Sequence, residues 1–219
     1  FVIPQFSMAM PEIFLLCMCC IVLLVDVFFG FWFRDAVYYT VQFSLIAVFT
    51  LTLPQFQEYA EPLLTFSGHY VVDELAVISK LVIYVFSFFS FAYAREYIKS
   101  RKIARSEYYL LGLLSVLGMS IMASAYTFLT MYLGLELLSL ALYAMVAMYR
   151  DSNLAVEAAM KYFVLGSLAS GILLYGISIL YGLTGSIQLD SVAQVLQTRN
   201  DLVPVLALIF VLGGIVFKF

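Results

Sequence analysis

Apolar runs of about twenty residues, unbroken by charge, recur along this chain, and a run of that length is what an α-helix needs to cross a hydrocarbon core about 30 Å thick. The composition agrees. Hydrophobic residues make up 64% of the 219 residues and charged residues 11%, less than half the roughly 25% charged of a soluble domain. That excludes a soluble globular enzyme. A transmembrane barrel would instead alternate weakly over segments of about ten residues. The class is all-α, a polytopic transmembrane helix bundle, with apolar material for about seven spans at about twenty residues each.

The spacing predicts spans over 11–32, 36–54, 75–94, 107–124, 126–148, 159–182 and 203–219. The first is flanked by Pro11 and Glu12, without a positive n-region or a small-residue cleavage site, so it reads as a retained helix and not a signal peptide. With no initiating Met and a last span that stops at Phe219, the chain reads as part of a longer protein.

Cytoplasmic loops hold an excess of Lys and Arg. If the N-terminus lies outside, the inner loops carry Arg34, Arg95, Lys99, Arg101, Lys102, Arg105, Arg150 and, at a helix start, Lys161, whereas the outer ones carry only Arg199. The segment between the second and third spans holds Glu58, Glu61, Asp73 and Glu74 without a basic residue. The N-terminus is therefore expected outside. The basic loop after the third span is explained by this asymmetry, and no Lys/Arg-rich stretch is long enough to suggest nucleic acid.

A charge at bilayer depth costs about 2.5–3.5 kcal/mol even on the lenient insertion scale, so each one is a candidate for function. Glu136 lies near the middle of the fifth span, too deep to snorkel, and Lys218 lies deep in the seventh. Burial favours the neutral form of either group and a nearby opposite charge favours the charged form, so opening and closing such a pair moves protons. A static pair that fixes helix register is the alternative. Lys161 and Lys80 lie near span ends, where a four-carbon stem can carry the charge to the interface; for Lys80, Asp73 and Glu74 are the expected partners. Asp26 stays open, and His69, in an outer loop, is expected to be solvated or interfacial.

Small residues four apart, Ser167 with Gly171, Gly166 with Ser170, and Ser120 with Ser124, are expected at close helix contacts. Gly213 and Gly214 either break the seventh span or pack it closely. Cys17, Cys19 and Cys20 lie within the first span and read as small hydrophobes. No Cys or His cluster suits iron-sulfur ligation or haem, and no glycine-rich phosphate loop is present.

Three segments carry a family resemblance. They are Tyr132-Leu-Gly-Leu-Glu136-Leu-Leu-Ser-Leu-Ala-Leu-Tyr143-Ala-Met-Val, Glu157-Ala-Ala-Met-Lys161-Tyr-Phe-Val-Leu-Gly166-Ser-Leu-Ala-Ser-Gly171, and Leu173-Leu-Tyr-Gly-Ile-Ser-Ile-Leu-Tyr-Gly182. With Pro11-Glu12 and the ending Gly213-Gly-Ile-Val-Phe-Lys218-Phe, they resemble subunit N of the bacterial NADH:quinone oxidoreductases, respiratory complex I, whose mitochondrial counterpart is NADH dehydrogenase subunit 2. The resemblance implies the first half of a fourteen-helix antiporter-like subunit with inverted repeats. Residues 1–106 would form a three-helix segment, and 107–219 the first part of the proton-translocating repeat.

In that family the fifth-helix glutamate, here Glu136, and the lysine of the broken seventh helix, here Lys218, form the proton-transfer pair. Lys161 matches a sixth-helix lysine linked to the pathway. NADH, FMN, iron-sulfur clusters and quinone would belong to partner subunits, with no cofactor in this chain, and the neighbours would be the antiporter-like subunit M and the small subunit K. The implied location is the bacterial inner membrane or, alternatively, the mitochondrial inner membrane. A subunit of a multisubunit sodium/proton antiporter and a non-transporting scaffold bundle are the rival readings.

Overall fold

The computed structural model describes residues 5–29, 35–58, 62–101, 105–149, 151–199 and 201–218. Arg34, Glu61, Lys102, Arg150 and Phe219 lie outside the described residues, as do the side chains of Glu58, Arg101 and Arg105. Eight α-helices occur among those described: α1 (Met10–Phe29), α2 (Ala36–Glu58), α3 (Glu74–Arg101), α4 (Arg105–Ala123), α5 (Phe128–Val146), α6 (Asn153–Thr184), α7 (Leu189–Thr198) and α8 (Leu202–Lys218). Between α2 and α3, β1 (Leu63–Thr65) pairs antiparallel with β2 (Tyr70–Val72). The first six helices are long and apolar enough to cross a membrane, and α8 is a shorter apolar helix. Six of the seven expected spans are thus α1–α6, and the seventh falls on the shorter α8.

Local chemistry sets the helix ends. Asp73 Oδ1 accepts the Ala76 N–H at 2.8 Å, Thr127 Oγ1 that of Thr130 at 3.3 Å, and Ser152 Oγ that of Ala155 at 3.4 Å, each satisfying a donor that the first helical turn leaves free. Ser152 starts α6 six residues before the expected 159. Gly185, left-handed at φ 68°, ends it, and its N–H donates to the Tyr181 carbonyl at 2.8 Å, the αL stop that glycine adopts without a Cβ penalty. The expected end of the second span at Pro54 is not observed; α2 continues to Glu58. Proline deletes one helical hydrogen bond, and tertiary contact holds the remaining turn: Gln55 is buried and its Nε2 donates to the Met8 carbonyl at 3.1 Å.

Two apolar cores result. Leu15, Val22, Val41, Val48, Tyr84 and Leu113 centre the packing of α1–α4, and Leu135, Leu173, Leu180, Val192, Ala207 and Val211 that of α5–α8. They meet where Gly118 of α4 touches Gly134 of α5 backbone to backbone. Large apolar side chains such as Phe28, Phe86, Tyr93 and Leu168 point outward, as lipid-facing positions do.

One end of the bundle is capped by backbone hydrogen bonds. The Val71 N–H donates to the Ser124 carbonyl at 2.9 Å and Tyr126 to His69 at 3.2 Å, while Phe128 donates to Ile187 at 3.0 Å and Leu189 to Tyr126 at 3.3 Å. The hairpin, the α4–α5 turn and the α6–α7 loop therefore form one belt. It shares its end with the N-terminus, where the Gln5 N–H reaches Thr65 Oγ1 at 3.1 Å. At the opposite end Arg95 pairs with Asp35 at 3.0 Å and lies 4.5 Å from the Tyr38 ring centroid.

The short helix α7 was not expected. Its ten residues are too few to span a bilayer, yet Leu189, Val192 and Leu196 recur at helical spacing, with Val192 buried and Leu196 packed beside it.

Candidate functional site

Helix periodicity aims Glu136 and Lys218 at each other. Gly134 faces α4, where an added Cβ would lie 2.8 Å from the Gly118 carbonyl oxygen; two residues on, about 200° around the helix, Glu136 points the other way. On α8, Gly214 lies against Leu173 and Ala169 of α6, and Lys218, four residues later, shares that face. Gly176 fits against Val211 and the Ala207 carbonyl of α8 and fixes the axial register between the two helices.

The outcome is a direct ion pair. Lys218 Nζ lies 2.6 Å from Glu136 Oε2, with side-chain exposures of 4% and 22%. The same carboxylate oxygen accepts from Ser170 Oγ at 2.8 Å. Glu136 stands eight residues from the start of α5 and ten from its end, roughly 12 and 15 Å along the axis. The glycines do not break the helix, since α8 runs unbroken from Leu202 to Lys218. Close packing holds at Gly214, while Gly213 has open space around it.

Beside Lys218 is a cavity of about 20 Å³, lined by Ser139, Tyr143, Tyr162 and Phe217 among others, room for one water. Leu142 and Tyr162 also line a cleft of about 510 Å³ bounded by Tyr97, Tyr108, Met145 and Tyr149. That cleft lies toward the end away from the hairpin. The site thus combines an ion pair, a hydroxyl donor and a water-sized space whose wall, at Leu142 and Tyr162, is shared with an open cleft.

Lys161 is not brought into this cluster. It pairs with Glu157 one turn back at 2.6 Å, with side chains 70% and 60% exposed. Of the small-residue pairs, Gly166 with Ser170 is at a contact, since a Cβ at 166 would overlap the Tyr143 hydroxyl. Ser120 and Ser124 are buried, whereas Ser167 and Gly171 are exposed. Cys19 is buried and Cys17 and Cys20 are exposed, all as free thiols. His69 is half-buried and its Nδ1 lies 3.1 Å from Thr127 Oγ1.

Lys80 departs most from expectation. It does not reach toward Asp73 or Glu74: fully buried, its Nζ lies 2.8 Å from Glu12 Oε1 and donates to the Tyr70 hydroxyl at 2.8 Å. Tyr70 in turn donates to Glu12 Oε2 at 2.7 Å. Ser120 Oγ donates to Glu12 Oε1 at 2.6 Å and lies 2.8 Å from the Tyr84 hydroxyl. In sequence, Glu12 stands as a flank of the first span and, with Pro11, as part of the family resemblance. The signal available was depth: one acid and one base lie just inside two helices that start from the same end.

Residues 125–219 match the family described as NADH:quinone oxidoreductase/Mrp antiporter, TM. The resemblance to subunit N holds over the whole chain. It is 50% identical over its full length to NADH-quinone oxidoreductase subunit N of Alkalilimnicola ehrlichii, covering 45% of that protein, and 48% identical to that of Hydrogenovibrio crunogenus, covering 46%. The chain thus spans about half the length of these relatives. Among solved structures, respiratory complex I from Thermus thermophilus with bound aureothin contains a chain 30% identical, superposing with a TM-score of 0.73 over 93% of this chain and 42% of that one. An archaeal membrane-bound sulfane sulfur reductase shares the fold at a TM-score of 0.82 and 21% identity, over 96% of this chain and 44% of that one.

Proposed function

We propose that this chain is part of a proton-translocating membrane-arm subunit of an NADH:quinone oxidoreductase, and that Glu136 and Lys218 exchange protons within it. The observation that carries this is the 2.6 Å contact between a buried ammonium and a half-buried carboxylate 82 residues apart. A tie of that kind between helices is often replaceable by apolar residues at no loss. The adjoining one-water cavity and the cleft beyond it support transfer over a static tie, and the relatives named NADH-quinone oxidoreductase subunit N support this reading over a sodium/proton antiporter.

On this reading, electron transfer from NADH to quinone takes place in partner subunits that carry FMN, iron-sulfur clusters and the quinone site, and none of these is held by this chain. Subunits M and K are the proposed neighbours. The N-terminus and the hairpin face outward and the basic loops inward, in a bacterial inner membrane. Breaking the pair frees Lys218 to release its proton, and re-forming it favours uptake. The bias between the two states comes from a neighbouring charge, since a pair with no external bias shifts nothing. Lys161, on the exposed face of α6, is the proposed next station, by family resemblance.

The test is Lys218→Met in the full-length protein within the intact complex. Assembly and a native band that oxidises NADH are expected to persist while proton pumping falls. Unchanged pumping with normal assembly would remove Lys218 from the pathway. A small native band without NADH oxidation would move the weight to the antiporter reading.

A further inference from the structure

Glu12 and Lys80 lie in the three-helix segment to which the preceding reading gives no part in proton transfer, yet with side chains 8% and 0% exposed they are more deeply buried than the Glu136 and Lys218 pair. The carboxylate is fully engaged: Oε1 receives Ser120 and Lys80, and Oε2 receives Tyr70. Glu12 stands two residues into α1, about 3 Å along the axis from its start. On that side Met8 and Ala9, just before α1, pack with Tyr70 and Val72 of the hairpin.

Lys80 and Glu12 touch directly at 2.8 Å, and a buried ion pair also needs hydrogen bonds to its remaining protons and lone pairs. The Tyr70 hydroxyl supplies one to each group, accepting from Nζ and donating to Oε2, and so forms an unbroken donor–acceptor chain along which a proton passes without either side chain moving. Tyr70 belongs to the belt whose α4–α5 turn and α6–α7 loop lead into α5 and α7, so the packing around this pair is continuous with the elements that position Glu136 and precede α8. The left-handed Phe66, φ 52°, at the hairpin tip is packed edge-on against Phe6 and Tyr70, holding the ring in place.

We propose that Glu12, Tyr70 and Lys80 form a second protonatable site, which takes up and releases a proton at the hairpin end of the bundle. Lys80 Nζ gives a proton to the Tyr70 oxygen as Tyr70 passes its own to Glu12 Oε2. One N–H and one O–H bond break and two O–H bonds form, leaving an amine and a carboxylic acid with no change in net charge. A proton from the aqueous side then restores the ammonium, so the site holds one more than before, and its release restores the ion pair. Ser120 and Tyr84 keep the carboxyl oriented throughout. This inference rests on the proton-translocating reading above and adds an exchange site on the outer side.

The experiment compares parent, Lys218→Met, Tyr70→Phe and the paired Glu12→Gln with Lys80→Met, each in the full-length protein within the intact complex. Tyr70→Phe keeps the ring and the direct ion pair and removes only the hydroxyl. It and the paired variant are expected to assemble and oxidise NADH, with proton translocation slowed about tenfold or more, as loss of a positioned proton donor does. A protonated-carboxyl infrared band that appears on turnover of the parent is expected to vanish in the paired variant. Parent-like translocation in both, with Lys218→Met impaired, would overturn the site and leave the reading beneath it standing; parent-like translocation in Lys218→Met would sink that reading instead. Persistence of the band in the paired variant would overturn the proposal. So would failure of Tyr70→Phe to assemble, which would make the hydroxyl a clasp.

Discussion

Gly118 and Gly134 meet backbone to backbone at the crossing of α4 and α5: a Cβ on Gly118 would lie 2.7 Å from the Gly134 carbonyl oxygen, and one on Gly134 2.8 Å from that of Gly118. Because Glu136 is two residues from this crossing, Gly134→Ala is expected to disturb the ion pair as well as the packing. Overpacking costs about 1–3 kcal/mol and outweighs the helix-propensity gain of about 1 kcal/mol. Thermal unfolding of the purified complex should show the loss, and a midpoint at or above that of the parent would refute it.

The adjacent glycines of α8 are expected to respond in opposite directions. Nothing lies within 4 Å of a Cβ on Gly213, whereas one on Gly214 would fall 2.6 Å from Leu173 Cβ. Gly213→Ala should stabilise by about 0.5–1 kcal/mol through backbone entropy, and Gly214→Ala should destabilise and separate α8 from α6. Differential scanning of the two variants decides the matter; equal shifts would contradict the contact.

Ser170→Ala removes the hydroxyl that donates to Glu136 Oε2 and keeps the helix. Hydrogen bonds to charged groups contribute about 1.5–3 kcal/mol, so the Glu136 and Lys218 pair should open more readily. The expected result is normal assembly with a shifted pH profile of proton translocation. A profile superimposable on the parent's would show that Ser170 has no influence on the pair.

Lys161 and Glu157 form an exposed pair one turn apart, and such pairs contribute about 0.3–0.5 kcal/mol. Lys161→Ala should therefore leave thermal stability nearly unchanged, so that a fall in pumping would report on proton transfer itself. A large drop in the unfolding midpoint would show that Lys161 packs against another part of the assembly.

The hairpin carries an alkaline limit. Burial first, and then the Glu12 carboxylate, hold the Tyr70 hydroxyl well above the ordinary phenol range, and the exposed Tyr126 is raised by the hydrogen bond it donates to Asp190. Both folded-state values lie above the unfolded value of about 10. Their contribution to stability is thus complete below about pH 10 and lost as the pH rises beyond it. Alkaline titration should show Tyr70 phenolate absorbance only together with unfolding, and its appearance in the folded complex would contradict the burial.

The positions of the spans and the depth of Glu136 and Lys218 follow from the sequence alone, because the cost of placing charge in hydrocarbon acts residue by residue along a helix of fixed rise. Helix α7 was legible in the spacing of Leu189, Val192 and Leu196 but is too short for a reading based on span length. Partner choice was not legible. Lys80 turns to Glu12, 68 residues away, and not to the nearby Asp73 or Glu74, because α1, α3 and the hairpin enclose it on a side that hydropathy does not specify. Lys161 pairs with Glu157 one turn back and stays on an exposed face. Rotation of a helix about its own axis is set by what packs against it, here Gly118 on Gly134 and Gly214 on Leu173. Local sequence therefore determined which charges enter the membrane, and only those long-range contacts decided which of them meet.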